Sequence, residues 1–300
     1  MTPTASVEST PCDTAVNGRA WRSRRRRRPI GASIEEANLS VSFNPLSRLW
    51  TKPTRRIPTS GGRLVYAVGD IHGRADLLTR LVAKIERDAE GLASERRPVV
   101  VFLGDYVDRG DNSKSVIDQL LALKAEGRFE VRTLKGNHEQ ALMDFLDDPE
   151  VGPTWEDFGG RQTLLSYGVS PPGPRPLPEE WEEVRVEFND ALPNEHRAFL
   201  SALELMVGYG DYAFVHAGVR PGVPLAEQRA QDLLWIRDEF LRSRAEFDKV
   251  VVHGHSPSLE PFLGANRIGV DTGAYATGVL TAVRLHQADQ TILSVSTRDL

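Results

Sequence analysis

Five short apolar runs in this 300-residue chain each stop at a polar cluster rich in Asp, Asn or His. Leu64 to Val68 runs into GDIHG (69–73), and Val99 to Leu103 runs into GDYVDRG (104–110). Val131 to Leu134 leads through Lys135 into GNHE (136–139), Tyr212 to Val215 ends at His216, and Val250 to Val252 ends at HGHS (253–256). Short runs of β-branched and apolar residues bounded by glycine read as buried strands. In α/β sheets the loops beyond the carboxyl ends of strands gather on one edge, where ligands bind, so clusters distant in sequence are expected to meet. A glycine stands just before Asp70, Asp105, Asn137 and His255, where the chain must leave its strand abruptly and pass close to whatever is bound.

Helical patterns separate these runs, the mark of an α/β domain. Leu77, Leu78, Leu81, Val82 and Ile85 recur at helical spacing within Ala75 to Ala89. After GDYVDRG, Ser113 is expected to cap a helix that buries Val116, Ile117, Leu120 and Leu121. The last strands are expected at Val279 to Leu285 and Thr291 to Val295. The stretch between GNHE and VHAG (215–218) reads as less regular. Its SPPGPRPLP segment (170–178) has too many prolines for a regular element and is expected to be a surface loop, followed by a short helix over Glu195 to Leu203.

Composition narrows the chemistry. An apolar share of 40% suffices for a sizeable core, and no apolar run is long enough to span a membrane. The single cysteine, Cys12, excludes an internal disulfide, so any metal must sit on His, Asp, Glu or Asn. The net charge of −5 conceals an asymmetry: residues 1–60 carry 11 Lys/Arg against 4 Asp/Glu. Arg24 to Arg28 form an unbroken basic run there, in a stretch with no sustained amphipathic period. Residues 1–60 are therefore read as a disordered basic tail and residues 61–300 as the catalytic domain. An export signal would need an apolar core after the arginines, which Glu35, Glu36 and Asn38 deny. A solvated arm is the first reading, and an anchor for nucleic acid or a membrane surface is its rival. The expected location is cytoplasmic.

GDIHG, GDYVDRG and GNHE, followed by two separate histidines, resemble the phosphoprotein phosphatase branch of the calcineurin-like metallophosphoesterases over about residues 63–285. The resemblance implies an α/β fold in which two mixed β-sheets pack face to face with helices outside. It also implies two divalent metal ions. Carried over by motif, Asp70 and His72 would hold the first, Asp105 would bridge both, and Asn137, His216 and His255 would hold the second. Two metals roughly 3.5–4 Å apart acidify a bound water and clamp a phosphoryl group. The ligand types suit manganese, iron or zinc, and manganese is the expectation.

By the same resemblance, Arg109 and Arg237 would bind the substrate phosphate together with Asn137, since an arginine fork donates to two phosphate oxygens at once. His138 would protonate the leaving alkoxide, and Asp108 would orient it through its other ring nitrogen. Glu139 is expected to orient its loop rather than bind metal. His253 reads as a core or supporting residue, because its side chain should point away from that of His255. His196 and His286 read as surface residues. Lys135 stands where some related phosphatases carry a phosphate-contacting arginine.

The expected substrate is a phosphoserine or phosphothreonine protein, because both Asp108 and Arg109 of GDYVDRG are present. The alternative is a symmetrical dinucleoside tetraphosphate hydrolase, a group that shares the late Asp271-Thr272-Gly273 element. A third reading, a degenerate binding module served by the basic tail, conflicts with the intact set of ligands and acid.

Overall fold

Alternate residues of the first strand, β1 (Leu64–Val68), enter two different cores. Leu64, Tyr66 and Val68 pack against helices, whereas Val65 and Ala67 join an apolar cluster between two sheets. Successive strand side chains point to opposite faces, so a strand covered on both faces reads as a continuous apolar run. The same division separates Val100 and Phe102 from Val99 and Val101 in β2 (Val99–Phe102).

The structure is a computed structural model that describes residues 57–298 apart from 93 and 95. The expected basic tail therefore lies outside the described residues except for its last four positions. Two of those are tied to the domain. Thr59 donates its backbone N–H to Asp211 at 2.9 Å, and buried Ser60 exchanges hydrogen bonds with Gln287.

The remaining strands are β3 (Glu130–Thr133), β4 (Met206–Tyr209), β5 (Tyr212–Val215), β6 (Val250–His253), β7 (Phe262–Leu263), β8 (Arg267–Gly269), β9 (Val279–His286) and β10 (Asp289–Ser296). One sheet runs β10-β9-β1-β2-β3, the other β4-β5-β6-β8-β7. In the first, β1, β2 and β3 are parallel while β9 and β10 are antiparallel; in the second, β5, β6 and β8 are parallel. Val65, Val101 and Val283 of one sheet meet Phe214, Val252 and Ile268 of the other in the shared core. Both sheets are mixed and flanked by helices, as the resemblance implied.

On the outer face of the first sheet lie α1 (Ala75–Glu90) and α2 (Ser113–Glu126). Leu77, Leu78, Leu81 and Ile85 of α1 are buried, each such side chain stabilising the fold by about 1.5–3 kcal/mol. The helix starting at Asn137 is α3 (Asn137–Asp147), followed by α4 (Gly152–Asp157), α5 (Gly160–Ser166), α6 (Pro178–Ala191) and α7 (Asn194–Ser201). Three short helices complete the set among the described residues: α8 (Ala230–Trp235), α9 (Asp238–Leu241) and α10 (Ala274–Thr277).

Three local expectations need correction. The stretch after GNHE is largely helical: α4 and α5 are too short for their apolar residues to show a period, and Pro178 opens α6, where a fixed φ and a missing N–H cost nothing. Ser113 does not cap α2, since its Oγ turns back to accept the backbone N–H of Asp108 at 3.1 Å. His196 is buried rather than on the surface, held between Tyr167 Oη at 2.8 Å and Asp118 Oδ1 at 3.0 Å.

Candidate metal centre

The carboxyl ends of β1, β2, β3, β5 and β6 deliver their polar clusters to one place. The first two loops are stitched together by the N–H groups of Ile71 and His72, which both donate to the carbonyl of Asp105. The fourth and fifth meet through Gly254 N–H and the carbonyl of His216 at 2.8 Å. Asp105 lies at the middle. His72, Asp105 and His138 each present a possible ligand atom, all within 4.8 Å of one another, and Asp105, His216 and His255 do the same. The two groups share Asp105, and all five side chains are buried.

Backbone strain is concentrated at this point. Among the described residues six non-glycine positions have positive φ, and five of them are His72, Asp105, Asp108, Arg109 and His255. Such conformations cost about 1–3 kcal/mol each and persist only where surrounding contacts impose them. Gly104, at φ 107°, lies so close to Gly136 and His216 that a Cβ would stand 2.6 Å from the Gly136 nitrogen. The close approach lets the second and third loops touch. Glu139 then locks them together, because its carboxylate accepts from the N–H groups of Asp105, Tyr106, Val107 and Gly136 at 2.7–3.2 Å. It orients the loop as expected.

The electrostatics suit cations. Burial would raise the Asp105 carboxyl, but His216, His138, His72 and His255 around it hold it well below the usual range. Burial drives the His72 imidazole down to about 3 and lowers His216 and His255 too, so these rings are neutral near pH 7. Burial and then the neighbouring Asp271 and Asp105 push Asp70 well above its ordinary value, and burial lifts Asp271 to about 6 and Glu139 to about 7. Asp105 and Asp70, two buried acids beside neutral imidazoles, offer oxygen and nitrogen donors of the kind that divalent metals take.

A model of the calcineurin-like phosphoesterase family matches residues 64–284. The chain belongs to that family. It is 26% identical to the asymmetrical bis(5'-nucleosyl)-tetraphosphatase PrpE of Anoxybacillus flavithermus over 72% of this chain and 88% of that protein. It is also 43% identical to the serine/threonine-protein phosphatase BSL2 of Arabidopsis thaliana, over 26% of this chain and 8% of that protein. Among solved structures, a cold-active protein-tyrosine phosphatase of a psychrophilic Shewanella species shares the fold, with a TM-score of 0.51 at 17% identity over 77% of this chain and 80% of that one.

Within this phosphoesterase the other named residues fall around the centre. Asn137 Oδ1 is 2.9 Å from His216 Nε2, and His216 Nδ1 faces the Leu103 carbonyl at 2.9 Å, which directs Nε2 inward. His72 is oriented likewise by the Val107 carbonyl at 2.8 Å. Arg109 reaches His72 Nε2 and Arg237 reaches His255 Nε2, each at 3.2 Å, so the two guanidinium groups flank the centre from opposite ends. His253 points away as expected, against Phe240 and Arg267. Lys135 reaches Gln140 Oε1 at 3.2 Å.

Asp70 differs from the other residues expected to hold metal in the phosphoesterase. Its two oxygens accept from the backbone N–H of His255 at 3.1 and 3.0 Å, and its carboxyl is hydrogen-bonded to Asp271. His138, not Asp70, completes the first group of ligand atoms with His72 and Asp105. The Asp70–Asp271 contact had no signal in the sequence beyond the Asp271-Thr272-Gly273 element. Three rings also escaped the sequence reading: Tyr275 stands edge-on to His72 and under Arg109, Phe158 stands against His138, and Trp235 against His255. Each lies in a loop or short helix with no periodic pattern to mark it.

Proposed function

We propose that this chain hydrolyses phosphate monoesters with two divalent metal ions, preferably manganese, and that its main substrates are phosphoserine and phosphothreonine in proteins. When bound, such ions acidify water and offset charge on the phosphoryl oxygens. Asp70, His72 and Asp105 hold one ion, and Asp105, Asn137, His216 and His255 the other. Arg109 and Arg237, at opposite ends of the centre, grip the phosphate through paired N–H donors.

The observation that carries the reading is the buried Asp108–His138 pair. His138 Nδ1 lies 2.7 Å from Asp108 Oδ2, which leaves Nε2 directed at the centre, 3.9 Å from Asp105 Oδ2. Burial opposes charge on that ring, but Asp105 and Asp108 together raise its pKa, so it is able to hold a proton for a departing alkoxide. An alkoxide leaving from serine or threonine is the group that most needs that proton.

A second reading is hydrolysis of dinucleoside tetraphosphates. Similarity to a bis(5'-nucleosyl)-tetraphosphatase across most of both chains favours it, as does the Asp271 carboxyl placed against Asp70. Turnover of a phosphoserine peptide and of diadenosine tetraphosphate, each with Mn2+, separates the two. Higher kcat/KM on the peptide is expected; clear preference for the dinucleotide would sink the phosphoprotein reading.

A further inference from the structure

Asp108, whose carboxylate lies beside His138, is itself held by other groups. Its backbone is held at φ 71°, its side chain is fully buried, and its own loop supplies no donor to the carboxylate. The donors come from the two short helices after α3. Thr163 of α5 donates from Oγ1 to Asp108 Oδ1 at 2.6 Å, and Trp155 of α4 donates from Nε1 to Oδ2 at 3.0 Å, beside His138. Thr163 Oγ1 also lies 2.9 Å from the Asp108 backbone nitrogen. The turn between these helices holds the next residue, since the Arg109 N–H donates to the Gly159 carbonyl at 3.1 Å. Gly159 has φ 105° and packs so tightly on Arg109 that a Cβ would meet its nitrogen at 2.7 Å.

We propose that Trp155 and Thr163 are positioning residues for leaving-group protonation, fixing the Asp108 carboxylate so that His138 keeps Nδ1–H on Asp108 and Nε2 toward the leaving oxygen. The inference rests on reading His138 as the general acid. Three donors on two oxygens fix the plane of a carboxylate, and a buried carboxylate deprived of one turns toward whatever donor remains. Proton transfer depends steeply on the placement of the donor atom, so a small rotation of His138 is felt in the rate. Trp155 also packs on Phe145 and Phe188 at centroid distances of 4.8 and 5.7 Å, and Thr163 Oγ1 lies 3.0 Å from Ser113 Oγ, which shares the Asp108 N–H.

Thr163→Val keeps the shape of the side chain and removes the hydroxyl, Thr163→Ser keeps the hydroxyl, and Trp155→Phe keeps a ring without the N–H. The metal-loaded full chain is assayed on p-nitrophenyl phosphate, whose leaving group needs no proton, and on benzyl phosphate, whose leaving group does. Thr163→Val and Trp155→Phe are expected to lower kcat on benzyl phosphate about tenfold more than on p-nitrophenyl phosphate with KM little changed, and Thr163→Ser to restore it. The low-field Nδ1–H resonance of His138 is expected to be lost in Thr163→Val and kept in Thr163→Ser. Equal losses on both esters, or an unchanged His138 resonance in Thr163→Val, would overturn the proposal. If the wild-type chain turns over neither ester, the reading of the reaction fails instead, and the resonance alone decides the link to His138.

Discussion

Asp108 Oδ2 stands 2.7 Å from His138 Nδ1, joining the second motif to the third through two buried side chains. Replacing His138 by alanine removes the proton donor without touching Asp70, His216 or His255. Loss on alkyl phosphates is expected to reach about 10²–10⁴-fold, with a much smaller loss on aryl phosphates. Steady-state kinetics on the two classes checks this, and equal losses remove the general-acid role.

Arg109 and Arg237 flank the centre, and each touches a histidine ring nitrogen. Arg109→Lys keeps the charge but loses the fork that donates to two oxygens. It is expected to lower kcat/KM about tenfold or more and to weaken inhibition by inorganic phosphate in parallel. Unchanged phosphate inhibition would place Arg109 outside the phosphate site.

Metal binding should become stronger as pH rises. Asp70, Asp271 and Glu139 have folded pKa values above their ordinary ones, the last two about 6 and about 7, so the stability of the metal-free protein falls as pH rises through that range. His72, His216 and His255 are lowered, so their protonation destabilises the fold as pH drops below about 6.5. Divalent cations relieve the repulsion among the acids and compete with protons for the rings. The rise in melting temperature on adding Mn2+ is therefore expected to be larger at about pH 7.5 than at about pH 5.5. A gain independent of pH would contradict this.

Thr59 and Ser60 set the limit of a tolerated truncation. Removing residues 1–56 is expected to leave turnover of p-nitrophenyl phosphate unchanged. Removing residues 1–60 also deletes the bonds to Asp211 and Gln287, at about 1–3 kcal/mol in urea unfolding. Loss of activity in the shorter deletion would tie the basic segment to the chemistry.

The strands and the centre were legible because the sequence concentrates them. A strand buried on both faces, such as Leu64–Val68, must be apolar throughout, and the polar residues that follow it have nowhere to go but the sheet edge. The supports of the centre were harder to read, for a physical reason. Trp155, Thr163 and Asp271 act through one or two hydrogen bonds to Asp108 or Asp70 across 47, 55 and roughly 200 residues of chain, and so few contacts leave no periodicity or spacing. His196 misled because a polar residue in a short amphipathic helix normally faces water, and only its partners Tyr167 and Asp118 show that it does not.

If Asp105 stands between two metal ions, the number of divalent ions bound per chain reports it. Metal-free protein titrated with Mn2+ and analysed for bound metal is expected to take up two ions per chain. Asp105→Asn is expected to weaken both sites while the circular dichroism spectrum keeps its shape. Uptake of one ion or none by the wild-type chain, or full uptake by Asp105→Asn, would contradict the account.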